Sequence, residues 1–241
     1  MTNQKTKEPA FNVDAYHSWL EDRAKVASTL KVSHFITVSR EYGCDAYPTA
    51  GKLQELINAK HPTNKWLVFS HQMIQKLAQD EKLGSDLINN VSEKRYSFMN
   101  WFIDGLVPDY LQSVQSQVFE RMRILLLNLA EKGNVIIVGG GAQIITNELD
   151  PSKFAGTHVR FYASYPWRLK SIMEKFHLNR VEAEEQIKMK QDARNKFVED
   201  FTGKSSTDPL LYHLMLNNDK NTADTMAAAI FHYCESRGFF K

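Results

Sequence analysis

The segment Asn134-Val135-Ile136-Ile137-Val138-Gly139-Gly140-Gly141 constrains the fold of this chain most. Its apolar, β-branched run shows none of the period-two alternation of a strand with one wet face, so it predicts a parallel strand, 134–138, covered on both faces. Such a strand belongs in the middle of a sheet and needs helices above and below it. Lys132-Gly133 supplies a helix stop just before it. The three glycines after it leave the backbone free to approach an anion, although such a turn also serves simply to tighten a strand-to-helix link.

The rest of the chain alternates in the same manner. HFITVS, 34–39, is a strand that stops at Ser39-Arg40-Glu41-Tyr42-Gly43, and a helix follows from Thr49 to Ala59 with Pro48 at its start. WLVF, 66–69, leads into helical spacing at Met73, Ile74, Leu77 and Ala78, and residues 109–131 carry a long amphipathic pattern. Further strands are expected at 157–163 and 212–218, with helices at 166–176, 180–200 and 222–236. Residues 11–30 place Phe11, Ala15, Trp19, Leu20 and Val26 near one stripe, an N-terminal helix behind a polar tail, 1–9. Residues 85–106, with Tyr96, Phe98, Trp101 and Phe102, read as a helical insertion. The class is α/β: a three-layer, mostly parallel sheet with helices on both faces and right-handed crossovers. A length of 241 residues suits one such domain, 33–241, preceded by the tail and helix of 1–32.

Charge excludes some functions. The 30 Lys and Arg nearly cancel the 28 Asp and Glu, so no broad field exists to hold an extended nucleic acid, while a local basic cluster still suits a small phosphorylated ligand. The cysteines, Cys44 and Cys234, have no His or Cys at zinc-ligand spacing, which implies a reduced compartment and no structural metal. Neither a leader peptide nor an apolar run of about 20 residues is visible, and the expectation is a soluble, cytoplasmic protein with no membrane partner.

Ligands of open parallel sheets bind beyond the carboxyl ends of the strands, where loops meet helix N-termini. Three segments meet there: the loop 39–49, the triple glycine 139–141, and the basic helical stretch of Lys188, Lys190 and Arg194. The loop lacks the strict phosphate-binding pattern, because no Gly-Lys-Ser or Gly-Lys-Thr follows Gly43. Gly51-Lys52 falls inside the expected helix and reads as an exposed helix lysine. Arg168, Lys170 and Lys175 also fit solvated helix charge. No paired His lies near Cys44 in sequence, so it reads as a small buried thiol rather than a nucleophile.

Taken in order, ITVSREYG at 36–43, GNVIIVGGGAQII at 133–145, HVRFYASYPWRLKSIMEKF at 158–176 and DPLLYHLMLNND at 208–219 resemble the cytidylate kinase-like family. The resemblance implies a nucleoside monophosphate kinase fold of the P-loop type, with 70–107 as the monophosphate region and 177–205 as a lid. It implies ATP and Mg2+ as cofactors and transfer of the γ-phosphoryl to CMP, dCMP or another small acceptor. Arg40, Gly43, Cys44, Asp45, Ala46, Tyr47 and Thr49 would then hold the donor phosphates, with the Thr49 hydroxyl on magnesium. Ser70, Gly139, Gly140 and Gly141 would meet the acceptor, and Arg168, Lys190 and Arg194 would neutralise the transferring charge. The chain also departs from the family pattern. Gly43-Cys44-Asp45-Ala46-Tyr47 stands where members commonly read Gly-Ser-Gly-Gly-Arg, Phe69-Ser70-His71-Gln72 where they read Tyr-Asp-Arg-Glu, and Gly139-Gly140-Gly141 where they read Gly-Arg-Gly. Those departures leave a nucleotide-binding module without catalysis, or an interaction scaffold built on the aromatic insertion, as alternatives to a kinase.

Overall fold

Residues 12–26, 32–79 and 114–240 are described by the structure, a computed structural model. The expected tail, the aromatic insertion with Tyr96, Phe98, Trp101 and Phe102, and residues 80–107 of the expected monophosphate region lie outside the described residues. The strands are β1 (Ser33–Arg40), β2 (Leu67–Ser70), β3 (Val135–Val138), β4 (Phe154–Tyr162) and β5 (Leu214–Asn217). They form one sheet in the order β2-β3-β1-β4-β5, and every pairing is parallel. The glycine-terminated run β3 is an inner strand, bonded to β2 and β1, while β1 holds the central place.

The helices, in chain order, are α1 (Val13–Val26), α2 (Ala46–Lys60), α3 (His71–Gln79), α4 (Val114–Lys132), α5 (Ala142–Ile145), α6 (Tyr165–Phe176), α7 (Arg180–Thr202) and α8 (Ala223–Ser236). Alternate strand residues point to opposite faces. Phe35, Phe69, Val135 and Ile137 therefore fill one core with Tyr16 and Trp19 of α1, Ile74 of α3 and Leu125 of α4. Ile36, Val38, Val68, Ile136 and Val138 fill the other with Leu53 and Ile57 of α2 and Ile230 and Phe231 of α8. This two-sided burial is what the unalternated β3 sequence requires. Helix α2 begins at Ala46 rather than Thr49, and Pro48 still falls in the first turn, where an N–H has no helical partner to lose.

Helix α7 crosses above the carboxyl end of the sheet. Its start is fixed by a reciprocal cap: the Asn179 side chain accepts from the Glu182 N–H while Glu182 accepts from the Asn179 N–H. Its end is Gly203 in the left-handed region. Near the start, Ala183 and Ile187 pack on Leu169 and Ile172 of α6. Near the end, the Phe201 ring stacks on Phe119 of α4 at 4.3 Å. Among the described residues, no helix is long and apolar enough to cross a membrane. Cys44 and Cys234 are free and buried.

Candidate anion-binding site at the carboxyl end of the sheet

After β1 the chain crosses to β2 at one edge, and after β3 it returns past β1 to β4 on the other side. Crossovers that leave neighbouring strands in opposite directions open a crevice at their carboxyl ends. A cleft of about 690 Å3 lies there, between the loop after β1, the glycine turn after β3 and helix α7. That volume is in the range of small-molecule sites.

Four cations, Arg40, Lys175, Lys190 and Arg194, line the cleft, and no Asp or Glu among the described residues does. Each comes from a different place: Arg40 ends β1, Lys175 lies in the last turn of α6, and Lys190 and Arg194 share one face of α7 at i, i+4 spacing. None of them forms a salt bridge among the described residues, unlike Arg168, whose Nε lies 3.4 Å from the Glu41 carboxylate. The Arg40 guanidinium donates to the Tyr47 hydroxyl at 3.2 Å and lies across Gly139. Arg194 sits 4.8 Å above the Tyr42 ring, and its Nη1 is buried without a hydrogen-bond partner among the described residues. Burial, and then the nearby Arg40 charge, pull Arg194 down to about 10. Burial likewise lowers Lys175, with Asp45 opposing and Arg194 and Arg40 adding to the shift. The cleft is thus an excess of positive charge held partly out of water, the condition an anion relieves.

Gly139, Gly140 and Gly141 all have positive φ, at 89°, 70° and 71°. The Gly139 amide donates to Val38 in β1, whereas those of Gly140 and Gly141 make no hydrogen bond among the described residues. The loop after β1 is different. Its Tyr42 N–H donates to Gln191 on α7 at 2.8 Å, and its Asp45 N–H donates to Asn218 at 2.6 Å. The Cys44 and Ala46 amides donate to the carbonyls of Glu41 and Cys44. Only Gly43, among the amides from Tyr42 to Ala46, has no bond within the described residues.

A family model of the cytidylate kinase-like family matches residues 35–220. The chain belongs to the cytidylate kinase-like family. No curated protein matches it. Among solved structures, an uncharacterized protein from Eubacterium ventriosum ATCC 27560 is similar, at 17% identity and a TM-score of 0.60 over 85% of this chain and 99% of that one. At that identity the likeness shows the fold alone.

In this cytidylate kinase-like chain, Arg40, Gly43, Cys44, Ala46, Tyr47, Gly139, Gly140, Gly141, Lys190 and Arg194, all expected site residues, line the same cleft. Four other expected residues do not line it. Arg168 lies behind the loop: its guanidinium is held by Glu41 and by the Tyr42 carbonyl, and its Cβ lies where a Cβ on Gly43 would meet it. It supports the loop rather than facing a transferring phosphate. Ser70 is fully buried and its hydroxyl accepts the Met73 N–H, which caps α3. Thr49 is also fully buried, and its hydroxyl donates to the Asp45 carbonyl at 2.9 Å, so it is not directed at a metal. Asp45 lies at the start of α2 outside the cleft lining, its N–H bonded to Asn218. The loop amides, expected to cradle phosphates, are mostly used within the protein.

These positions decide how the implied cofactors fit. The phosphates of ATP match the four cations and the glycine turn. Magnesium does not fit the described lining, which offers the hydroxyls of Ser39, Tyr42, Tyr47 and Ser206 and no carboxylate. Among the described residues, no group of three His, Cys, Asp or Glu side chains converges on a metal position. The Cys44 thiol, pushed up to about 12 mainly by burial, is inert as a nucleophile at neutral pH. Sequence reasoning missed Lys175, read as solvated beside Arg168, and also Tyr42, which takes the Gln186 side chain on its hydroxyl at 2.6 Å. No pattern in the chain separates Lys175 from Arg168, because both lie on the same helix. Lys188, grouped with Lys190, is exposed and does not line the cleft. Lys52 pairs with Asp224 on the surface of α2, which agrees with its reading as an exposed helix lysine.

Proposed function

We propose that the cleft binds a nucleotide through its phosphates, which lie against Arg40, the turn at Gly139–Gly141, Lys190 and Arg194, with α7 as the main part of a lid spanning 177–205. The observation that carries this reading is the concentration of unpaired cations in a cleft whose described lining contains no acid, in a chain of the cytidylate kinase-like family. A charged hydrogen bond from arginine to phosphate contributes about 1.5–3 kcal/mol, so three of them at the upper end of that range reach the roughly 8 kcal/mol of micromolar binding. The nearby region that begins at Ser70 would receive a monophosphate, with His71, Gln72 and Gln75 of α3 on the cleft wall. The buried, unpaired thiols support a cytoplasmic setting for this chemistry.

The second reading is catalytic: an acceptor phosphate oxygen of CMP or dCMP attacks the γ-phosphorus of ATP, the bond to the β-phosphate oxygen breaks, and ADP leaves. Family membership and the placement of Lys190 and Arg194 over the cleft favour it, since such transfer is chiefly positioning and charge neutralisation. Internal use of the loop amides favours binding without turnover. The scaffold reading rests on the aromatic insertion and gains no support from the described residues.

Calorimetric titration with nucleoside mono- and triphosphates, beside a coupled assay for ADP, tests both readings. Binding at micromolar nucleotide that weakens about 10- to 100-fold in Arg194→Ala is expected. No heat of binding at millimolar nucleotide removes the proposal, and turnover at the protein-free rate with binding intact removes only the catalytic reading.

A further inference from the structure

We propose that the triphosphate ligand of this cleft is taken up free of divalent metal, with its charge met by protein cations alone; this inference rests on the nucleotide-binding reading. A small divalent ion needs oxygen ligands in near-octahedral array and draws them from carboxylates, hydroxyls and phosphate. Here the two carboxylates nearest the phosphate loop in sequence are not offered to it. Glu41 holds Arg168 and accepts the Ala163 N–H at 3.1 Å, and Asp45 stands outside the cleft lining. The hydroxyl that follows the loop, Thr49, is bonded into its own helix turn.

What the cleft offers instead is charge of the opposite kind. Arg40, Lys175, Lys190 and Arg194 face it without a salt bridge among the described residues, where Arg194 also keeps a buried donor with nothing to bond. Burial first, and then the neighbouring Arg40 charge, lowers Arg194; burial also lowers Lys175, with Arg194 and Arg40 each adding less than Asp45 opposes. A triphosphate carrying a bound dication brings less negative charge to these groups and places two further positive charges among them. Free triphosphate gives them a full complement of oxygen acceptors. The cations therefore occupy the electrostatic role that a metal would otherwise fill.

Titration of the full chain with ATP and with CMP, at matched ionic strength, once with EDTA and once with excess MgCl2, decides the matter. ATP is expected to bind at least about tenfold more tightly in EDTA, with CMP, a weak chelator, little changed. The Lys190→Ala variant, altered at an exposed residue and so left folded, is expected to lose affinity several-fold in the EDTA arm and to show a shallower dependence on salt. Equal or tighter ATP binding with magnesium overturns the inference and leaves the nucleotide reading standing. So does binding of CMP with ATP bound in neither arm. No binding of either nucleotide in either arm overturns the nucleotide reading and this inference with it.

Discussion

Gly139 shows how one missing side chain shapes the cleft. A Cβ there would stand 2.2 Å from Arg40 Nη1, and its φ of 89° is one that L-residues rarely adopt. Arg40 is the flexible end of a side chain and moves more easily than backbone, so Gly139→Ala is expected to destabilise by about 1–2 kcal/mol while displacing Arg40. Nucleotide affinity should then fall about tenfold, measured by titration beside thermal unfolding; an unchanged affinity means Arg40 is not a ligand. His158, which does not line the cleft, makes a different kind of prediction. It is 6% exposed, bonded through Nδ1 to the Thr37 hydroxyl at 2.8 Å, and drawn down to about 3 by burial, then by His213 and Arg237. The folded value lies below that of the unfolded chain, so the unfolded state takes the proton first. Its contribution is whole above about pH 6.5 and is lost as pH falls toward 3; His34 and His213 shift the same way. Urea unfolding is expected to show a loss of about 1–2 kcal/mol between pH 7 and 5, with a flatter profile in His158→Gln. A slope identical in the variant would assign the pH dependence elsewhere. The sequence marked Gly139 as special but gave no sign of His158, since burial of a lone histidine depends on neighbours brought from Thr37 and His213.

Helix α7 is the element on which the site depends most, and its two ends are held by unlike means. At one end it packs on α6, in the middle Gln186, Gln191 and Arg194 grip Tyr42, and at the other Phe197 and Phe201 rest on Phe119. An aromatic pair of this kind contributes about 0.5–1.5 kcal/mol beyond its buried area. In Phe201→Ala, the amides of the last turns of α7 are expected to exchange with solvent at least about fivefold faster, while those of β1 and β3 keep their protection. Hydrogen exchange read by mass spectrometry distinguishes this from a uniform loss, which would show that α7 opens only with the whole domain. The helix itself was legible in the chain over 180–200, and the structure carries it on to Thr202. Its grip on the loop was not, because Gln191 and Tyr42 are remote in sequence and their bond satisfies an amide expected to face a phosphate.

Across the whole molecule, the α/β class, the alternation of strands and helices along the chain and the parallel sheet follow from local pattern. Alternation of unbroken apolar runs with amphipathic helices has few packed solutions, and right-handed crossovers reduce them further. The division at residue 32 is a separate matter. Tyr16 and Trp19 of α1 lie in the same core as Phe69, at 6.2 and 5.4 Å between rings, and Arg23 donates to the Lys132 carbonyl at 2.8 Å. Trp19→Ala is therefore expected to lower the unfolding free energy by about 3–5 kcal/mol in one cooperative urea transition. An unchanged midpoint would show that residues 1–32 are an appendage to the domain. By itself the sequence determined the layered parallel fold, its family and the meeting of loop, glycine turn and basic helix at one end, because periodicity, helix stops and the alternation of elements act locally or through general rules of chain connection. Only the tertiary structure decided which charges face the cleft. It turned Arg168 and Thr49 into supports, brought Lys175 to the lining and engaged most of the loop amides, since the partner that claims each polar group lies scores of residues away.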